Sequence, residues 1–324
     1  MKRAAKGSRN GKTNGNGNGN GSGDAARRVP IARPESTSAR VSRGEGERPH
    51  GTLVIIGGHE NKDGDRLILR AVADRVGDGA LVVVTAASNL PDEVWGDYEP
   101  VFKSLGVRDL RHLHVSTRAE ARTEEVVRIL DGATAVFITG GDQLKLTSQL
   151  GDTPVYSRIM EIYENGGTIA GTSAGASVMC ETMLVEGASD ASHAIGSSLR
   201  MAPGFGLIAG VIIDQHFAER GRIGRLIAAV SQNPRIIGIG IDESTAVMCD
   251  PRRCLTVLGA GAVYVVDGRD VSYTNLADED SDRTLSTFDL RLHLMSMGDE
   301  FDVQSRRPSN HPAEVVERGL VSAD

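Results

Sequence analysis

Short apolar runs that end on glycines or on a polar cluster recur along this chain, and stretches with helical spacing separate them. Leu53-Val54-Ile55-Ile56 runs into Gly57-Gly58, residues 80–85 form a second run, and residues 135–139 stop at Gly140-Gly141-Asp142-Gln143. Uninterrupted runs of this kind suit strands covered on both faces, as in a parallel sheet, rather than strands with one wet face. Between them, residues 66–76, 93–105, 124–130 and 155–163 have helical spacing, with Trp95 and Tyr98 on the packing side of the second. His112-Leu113-His114-Val115 reads as a strand whose histidines are half-buried. Residues 168–170 form a short strand, and residues 174–184 can run as a helix. Further strands are expected at 211–217 and 238–243, an antiparallel hairpin at 255–259 and 262–266, and one more strand at 290–294. The pattern predicts an α/β fold: a mostly parallel central sheet with helices on both faces and a small antiparallel C-terminal addition.

Composition changes this picture only at the ends. The first fifty residues carry eleven lysines and arginines against four acids and include a Gly-Asn repeat from Gly15 to Gly21. Such a segment cannot bury a core, so residues 1–50 are expected to be a disordered basic tail. The net charge is −7, so the remaining body is more acidic than that figure suggests. No aromatics interleave the basic residues, which argues against nucleic-acid binding and for a solvated spacer. No apolar run reaches bilayer length and no apolar segment follows the basic start, which excludes a membrane span and a secretory signal. The three cysteines, Cys180, Cys249 and Cys254, form no C-x-x-C pair, so they read as small buried hydrophobes in a cytoplasmic protein. A single domain over 51–303 and a loose polar C-terminus over 304–324 complete the expected organisation.

The chemistry concentrates where strands end. Gly171-Thr172-Ser173-Ala174-Gly175 fits the G-x-S-x-G turn, which holds a serine exposed between a strand and a helix. The helix start offers the Ala174 N–H to an oxyanion, and the Gly140-Gly141 pair either brings a second backbone donor, that of Gly141, beside Ser173 or simply makes a tight strand-to-helix turn. Asp214-Gln215-His216 and Asp242-Glu243 close two other apolar strands. His216 is the candidate base and Glu243 the candidate orienter, because serine needs an adjacent base and that base needs a third group to fix its tautomer. Asp242 would point the opposite way on a strand, so only one acid of the pair faces His216, and Glu243 is preferred. The chain order Ser, His, acid disfavours the α/β-hydrolase fold, whose order is Ser, acid, His. Arg220, Arg222 and Arg225 follow His216 closely and suit carboxylate recognition through bidentate forks, a solvated helix start being the plainer reading. Neither glycine pair extends to a dinucleotide motif and no phosphate-binding loop is present, so nucleotides have little support.

Taken together, Gly57-Gly58 with Glu60 and Lys62, Thr139 to Gln143, the Ser173 turn, Asp214-Gln215-His216 and Gly240-Ile241-Asp242-Glu243 resemble the cyanophycinases. These form a serine peptidase family that also contains the aspartyl dipeptidases and has a fold similar to class I glutamine amidotransferases. The likeness runs from about Thr52 to Phe301. It implies a serine exopeptidase that degrades cyanophycin, an arginine-bearing polyaspartate, to β-aspartyl-arginine. Ser173 would be nucleophile, His216 base and Glu243 its partner. Gln143, Asp214, Gln215, Arg220, Arg222 and Arg225 would line the substrate pocket, with Asp214 meeting a guanidinium. No metal or organic cofactor is implied, and a homodimer is. An α-aspartyl dipeptidase on the same scaffold is the nearest alternative, and an inactive acidic-polymer-binding protein a more distant one. A glutamine amidotransferase would need a cysteine at Ser173.

Overall fold

The computed structural model describes residues 50–186, 199–277 and 284–310. All but the last residue of the expected basic tail, and residues 311–324 of the expected loose C-terminus, lie outside these. In chain order the first half runs β1 (Thr52–Ile56), α1 (Leu67–Ala73), β2 (Ala80–Val84), α2 (Pro91–Ser104), β3 (Asp109–Leu113) and α3 (Glu124–Arg128). It continues through β4 (Ala133–Ile138), α4 (Gln143–Leu150), α5 (Pro154–Glu164), β5 (Thr168–Thr172) and α6 (Ala174–Ser177). The second half runs β6 (Thr182–Glu186), β7 (Arg200–Pro203), β8 (Val211–Gln215), α7 (Ile223–Gln232), β9 (Ile237–Ile241) and β10 (Thr245–Cys249). Then follow β11 (Cys254–Gly259), β12 (Val263–Asp267), β13 (Tyr273–Thr274), β14 (Thr287–Phe288), β15 (Arg291–Met295), β16 (Asp299–Asp302) and β17 (Arg307–Asn310).

The main sheet has nine strands in the order β17-β16-β11-β10-β1-β5-β4-β2-β3. The five from β1 to β3 are mutually parallel, and the other four continue antiparallel from β1 through β10. The parallel core is the one the apolar runs predict. Leu53 and Ile55 enter one core while Val54 and Ile56 enter the other, the period-two alternation of a strand buried on both sides. On the second side α1 and α2 cover the sheet through Leu69, Val72, Tyr98 and Phe102, which pack with Phe137 of β4. Truncating a fully buried ring such as Phe137 to alanine would cost about 3–5 kcal/mol. On the first side lie α4, α5 and a second sheet.

That second sheet, ordered β15-β12-β9-β8, is where the structure departs from expectation. Residues 255–259 and 262–266 do not form a hairpin. The first, in β11, pairs with β10 and β16, whereas the second, in β12, pairs with β9 and β15. The chain leaves one sheet at Gly259, whose positive φ of 106° suits glycine, and joins the other. One face of the second sheet packs into the first core, and α7 covers the other through Leu226, Ala229 and Val230. The antiparallel addition is therefore larger than the alternation suggested, and it extends to Asn310, so the ordered body runs past residue 304.

The expected helix over 174–184 is also cut short. It stops at Ser177, and the backbone of Val178 and Cys180 instead accepts hydrogen bonds from Phe205 and Gly206. Val178, Met179 and Cys180 are fully buried, so tertiary packing overrides their helical pattern before β6 begins.

Candidate active site

β5 lies between β1 and β4, so both glycine pairs flank the end of the strand that carries Ser173. Open α/β sheets bind ligands in such crevices at strand carboxyl ends. Ser173 has φ 54° and ψ −110°, a strained conformation for a residue with a side chain, and its N–H donates to the Ile56 carbonyl over 3.0 Å. Glycine is required on both sides of it. A β-carbon at Gly171 would overlap the Gly175 carbonyl, and one at Gly175 would overlap that of Ile138.

His216 follows β8 with φ 49°, its N–H donating to the Gly57 carbonyl over 2.8 Å. Glu243 sits on the link between β9 and β10, where the next residue, Ser244, donates its N–H to the Gly58 carbonyl over 2.9 Å. The end of β1 thus anchors both His216 and the link that carries Glu243. His216 Nε2 is 2.9 Å from Ser173 Oγ, and its Nδ1 is 2.6 Å from Glu243 Oε1. An ionised carboxylate only accepts, so Nδ1–H donates to Glu243, and Nε2 is left to accept the serine hydroxyl.

Burial, the largest influence, lowers the His216 pKa below its ordinary value; the Glu243 hydrogen bond resists and the Arg220 charge adds to the fall. Burial alone would raise the Glu243 carboxyl, but hydrogen bonds from His59 and His216 outweigh it and hold the pKa below the usual range. At neutral pH the pair is therefore an unprotonated imidazole beside a carboxylate, as a general base requires.

The two acids have different partners. Asp242 accepts the Ala218 and Ala262 N–H groups and holds the turn together, while Glu243 faces the histidine. Residues 242 and 243 lie beyond the end of β9, so strict strand alternation no longer governs them.

Ser173 and His216 open onto a cleft of about 470 Å³. Glu60, buried in its wall, accepts hydrogen bonds from Tyr98 Oη and from Thr172 Oγ1, the latter over 2.6 Å. Lys62 lies 4.4 Å from the centre of the Tyr98 ring and pairs with Asp97 at 3.0 Å. Arg220 also lines the cleft, and its guanidinium has no hydrogen-bond or ion-pair partner among the described residues.

The family model for peptidase family S51 matches residues 53–257. The chain belongs to peptidase family S51. This S51 peptidase is 40% identical over 260 residues to a protein of Synechococcus elongatus named cyanophycinase, covering 79% of this chain and 80% of that one. It is 39% identical over 257 residues to the cyanophycinase of a Nostoc species, covering 78% and 86%. A solved peptidase from an acI-B1 actinobacterium matches with a TM-score of 0.58 at 22% identity, over 79% of this chain and 98% of that one, and so shares its fold. Family membership makes the chain a serine-type exopeptidase.

The other residues expected in the S51 peptidase's pocket divide sharply. Only Arg220 lines the cleft. Asp214 is buried beneath α7, where both its oxygens accept from Arg225 and Oδ1 also accepts from Arg222 at 3.1 Å. Arg225 is 5% exposed and Asp214 1%, so these charges satisfy one another and do not face a ligand. Gln215 is held by Arg222, and Gln143 donates to the Leu184 carbonyl over 2.6 Å; both side chains are buried. A bidentate arginine fork is present, that of Arg225, as the residue types suggested, but it grips the protein's own carboxylate. Gly141 has φ 139°, and a β-carbon there would overlap Ala87. Sequence reasoning gave His59 no role. Its Nδ1 lies 2.7 Å from Glu243 Oε2, so the carboxylate is held on both oxygens. Its only sequence signal is its place directly after Gly57-Gly58.

Among the described residues no helix is long and apolar enough to cross a membrane.

Proposed function

We propose that this S51 peptidase degrades cyanophycin, cleaving α-aspartyl bonds of its backbone through an acyl-Ser173 intermediate and releasing β-aspartyl-arginine. The observation that carries this reading is the continuous Ser173–His216–Glu243 relay opening onto a cleft walled by both signs of charge. A repeat bearing a carboxylate and a guanidinium needs both. Arg220 is the cation available to the carboxylate, and Glu60, which lines the cleft where Asp214 does not, is the acid available to the guanidinium.

In the first step Ser173 Oγ attacks the aspartyl carbonyl while His216 Nε2 takes its proton. Glu243 stabilises the imidazolium that forms. The N–H groups of Ala174 and Gly141 receive the oxyanion. As the tetrahedral adduct collapses, the carbon–nitrogen bond breaks and His216 returns the proton to the departing amine, leaving an ester on Ser173. Water, deprotonated by the same histidine, then hydrolyses that ester and frees the enzyme. Leu292 and Leu294, exposed on the edge strand β15, offer apolar surface to a second copy and support a homodimer.

The test is incubation of the purified protein with insoluble cyanophycin, with Ser173→Ala alongside. Clearing and release of β-aspartyl-arginine by the parent alone is the expected result. Clearing by the variant would overturn the nucleophile, and hydrolysis of Asp-Leu without clearing would move the substrate to small aspartyl peptides.

A further inference from the structure

Glu243 stands between two imidazoles. Its Oε1 is 2.6 Å from His216 Nδ1 and its Oε2 is 2.7 Å from His59 Nδ1. The two rings meet edge to face with centroids 5.2 Å apart. Each donor residue offers one ligand atom, and those three atoms all lie within 4.8 Å of one another. Two imidazole nitrogens and a carboxylate form a ligand set suited to zinc.

We propose that His59, His216 and Glu243 form an inhibitory site for a divalent cation of the zinc class. The ion replaces the two Nδ1 protons that now bridge to Glu243. Ligands of a tetrahedral zinc stand about 3.3 Å apart, so the carboxylate moves back by roughly 0.6–0.7 Å from each nitrogen and the exposed His59 ring closes on the ion. Access is open from the His59 side, whose side chain is 74% exposed, while His216 is 5% exposed and fixed.

The consequence for catalysis follows from the tautomer. A metal on His216 Nδ1 takes that nitrogen's lone pair, so the neutral ring carries its proton on Nε2. Nε2–H then faces Ser173 Oγ as a donor and cannot accept the hydroxyl proton. The ion also neutralises the carboxylate that would stabilise the imidazolium. The triad keeps its shape and loses its base. No bond to substrate is involved, and each neutral ring shifts its proton from Nδ1 to Nε2, so the ring keeps its proton count. Magnesium, which takes oxygen ligands in an octahedron, does not suit two imidazoles and serves as the control.

The experiment begins with calorimetric titration of zinc chloride into Ser173→Ala, which needs no substrate and therefore stands apart from the question of what the enzyme cleaves. One zinc per chain is expected, and no magnesium binding. The double variant Ser173→Ala/His59→Gln should bind zinc about 10- to 100-fold more weakly, since losing a ligand costs at least as much as losing an outer partner. Thermal unfolding without zinc checks that it is folded. On the protein with Ser173 present, zinc should inhibit reversibly, with activity restored by a chelator. Absence of a one-to-one site in Ser173→Ala, or equal zinc affinity with and without His59, would overturn the proposal.

Discussion

Gly58 and His216 share one space: a β-carbon on Gly58 would overlap the imidazole ring. Gly58 also has φ 106°, so its lack of a side chain answers two constraints at once. Gly58→Ala should keep the fold with a loss of about 1–2 kcal/mol from the unfavourable backbone conformation. Displacing His216 from Ser173 should cost about 10²-fold in kcat. Thermal unfolding alongside steady-state kinetics checks both. Full activity in a folded Gly58→Ala protein would mean the imidazole does not need its present position.

The parallel core was legible because apolar runs ending in glycine can be little else, and the same run-ends pointed to Ser173, His216 and Glu243. What stayed hidden depended on long-range partners. The spacing of Arg222 and Arg225 shows that they share a helix face but not that a buried Asp214 waits beneath it. Residues 255–266 alternate like a hairpin, and only pairing with β9 and β10 separates the two strands. His59 meets Glu243 across the fold, a contact no local pattern announces.

The pH dependence of hydrolysis should follow His216. Its pKa is lowered, chiefly by burial, so the neutral base predominates at pH 7 and activity falls only as pH drops through that lowered value. Glu243 favours the imidazolium. Glu243→Gln should therefore move the acid limb to still lower pH while dropping the plateau of kcat by roughly 10³- to 10⁴-fold. A pH–rate profile of both proteins measures this. An acid limb moving to higher pH in the variant would contradict the assigned partnership.

Glu60 is the buried carboxylate of the cleft, and Tyr98 and Thr172 both donate to it. Burial, then the Glu60 charge, raises the Tyr98 hydroxyl pKa well above its ordinary value, so it remains a donor throughout the working range. Glu60→Gln should weaken recognition of an arginine-bearing substrate by about 1.5–3 kcal/mol, the worth of a hydrogen bond to a charged group. The loss should be read in kcat/KM and should be smaller for Asp-Leu. An equal loss on both substrates would assign Glu60 to the framework alone.

Arg220 and Arg225 are five residues apart, yet their substitutions should have opposite signatures. Arg225 is buried against Asp214, and removing either partner leaves an uncompensated charge in the interior. Arg225→Ala or Asp214→Ala should destabilise the protein by about 3–5 kcal/mol. Arg220 lines the cleft and is exposed. Arg220→Ala should leave the unfolding midpoint within experimental error and raise KM for cyanophycin fragments by about 10-fold or more. Surface truncations away from buried networks rarely move stability by more than about 0.5 kcal/mol. Removing the nearby positive charge should also raise the His216 pKa, so the acid limb of the rate profile should shift to higher pH in Arg220→Ala. An unchanged acid limb together with an unchanged KM would exclude Arg220 from the site; lost stability would place it with Arg222 and Arg225 in the framework.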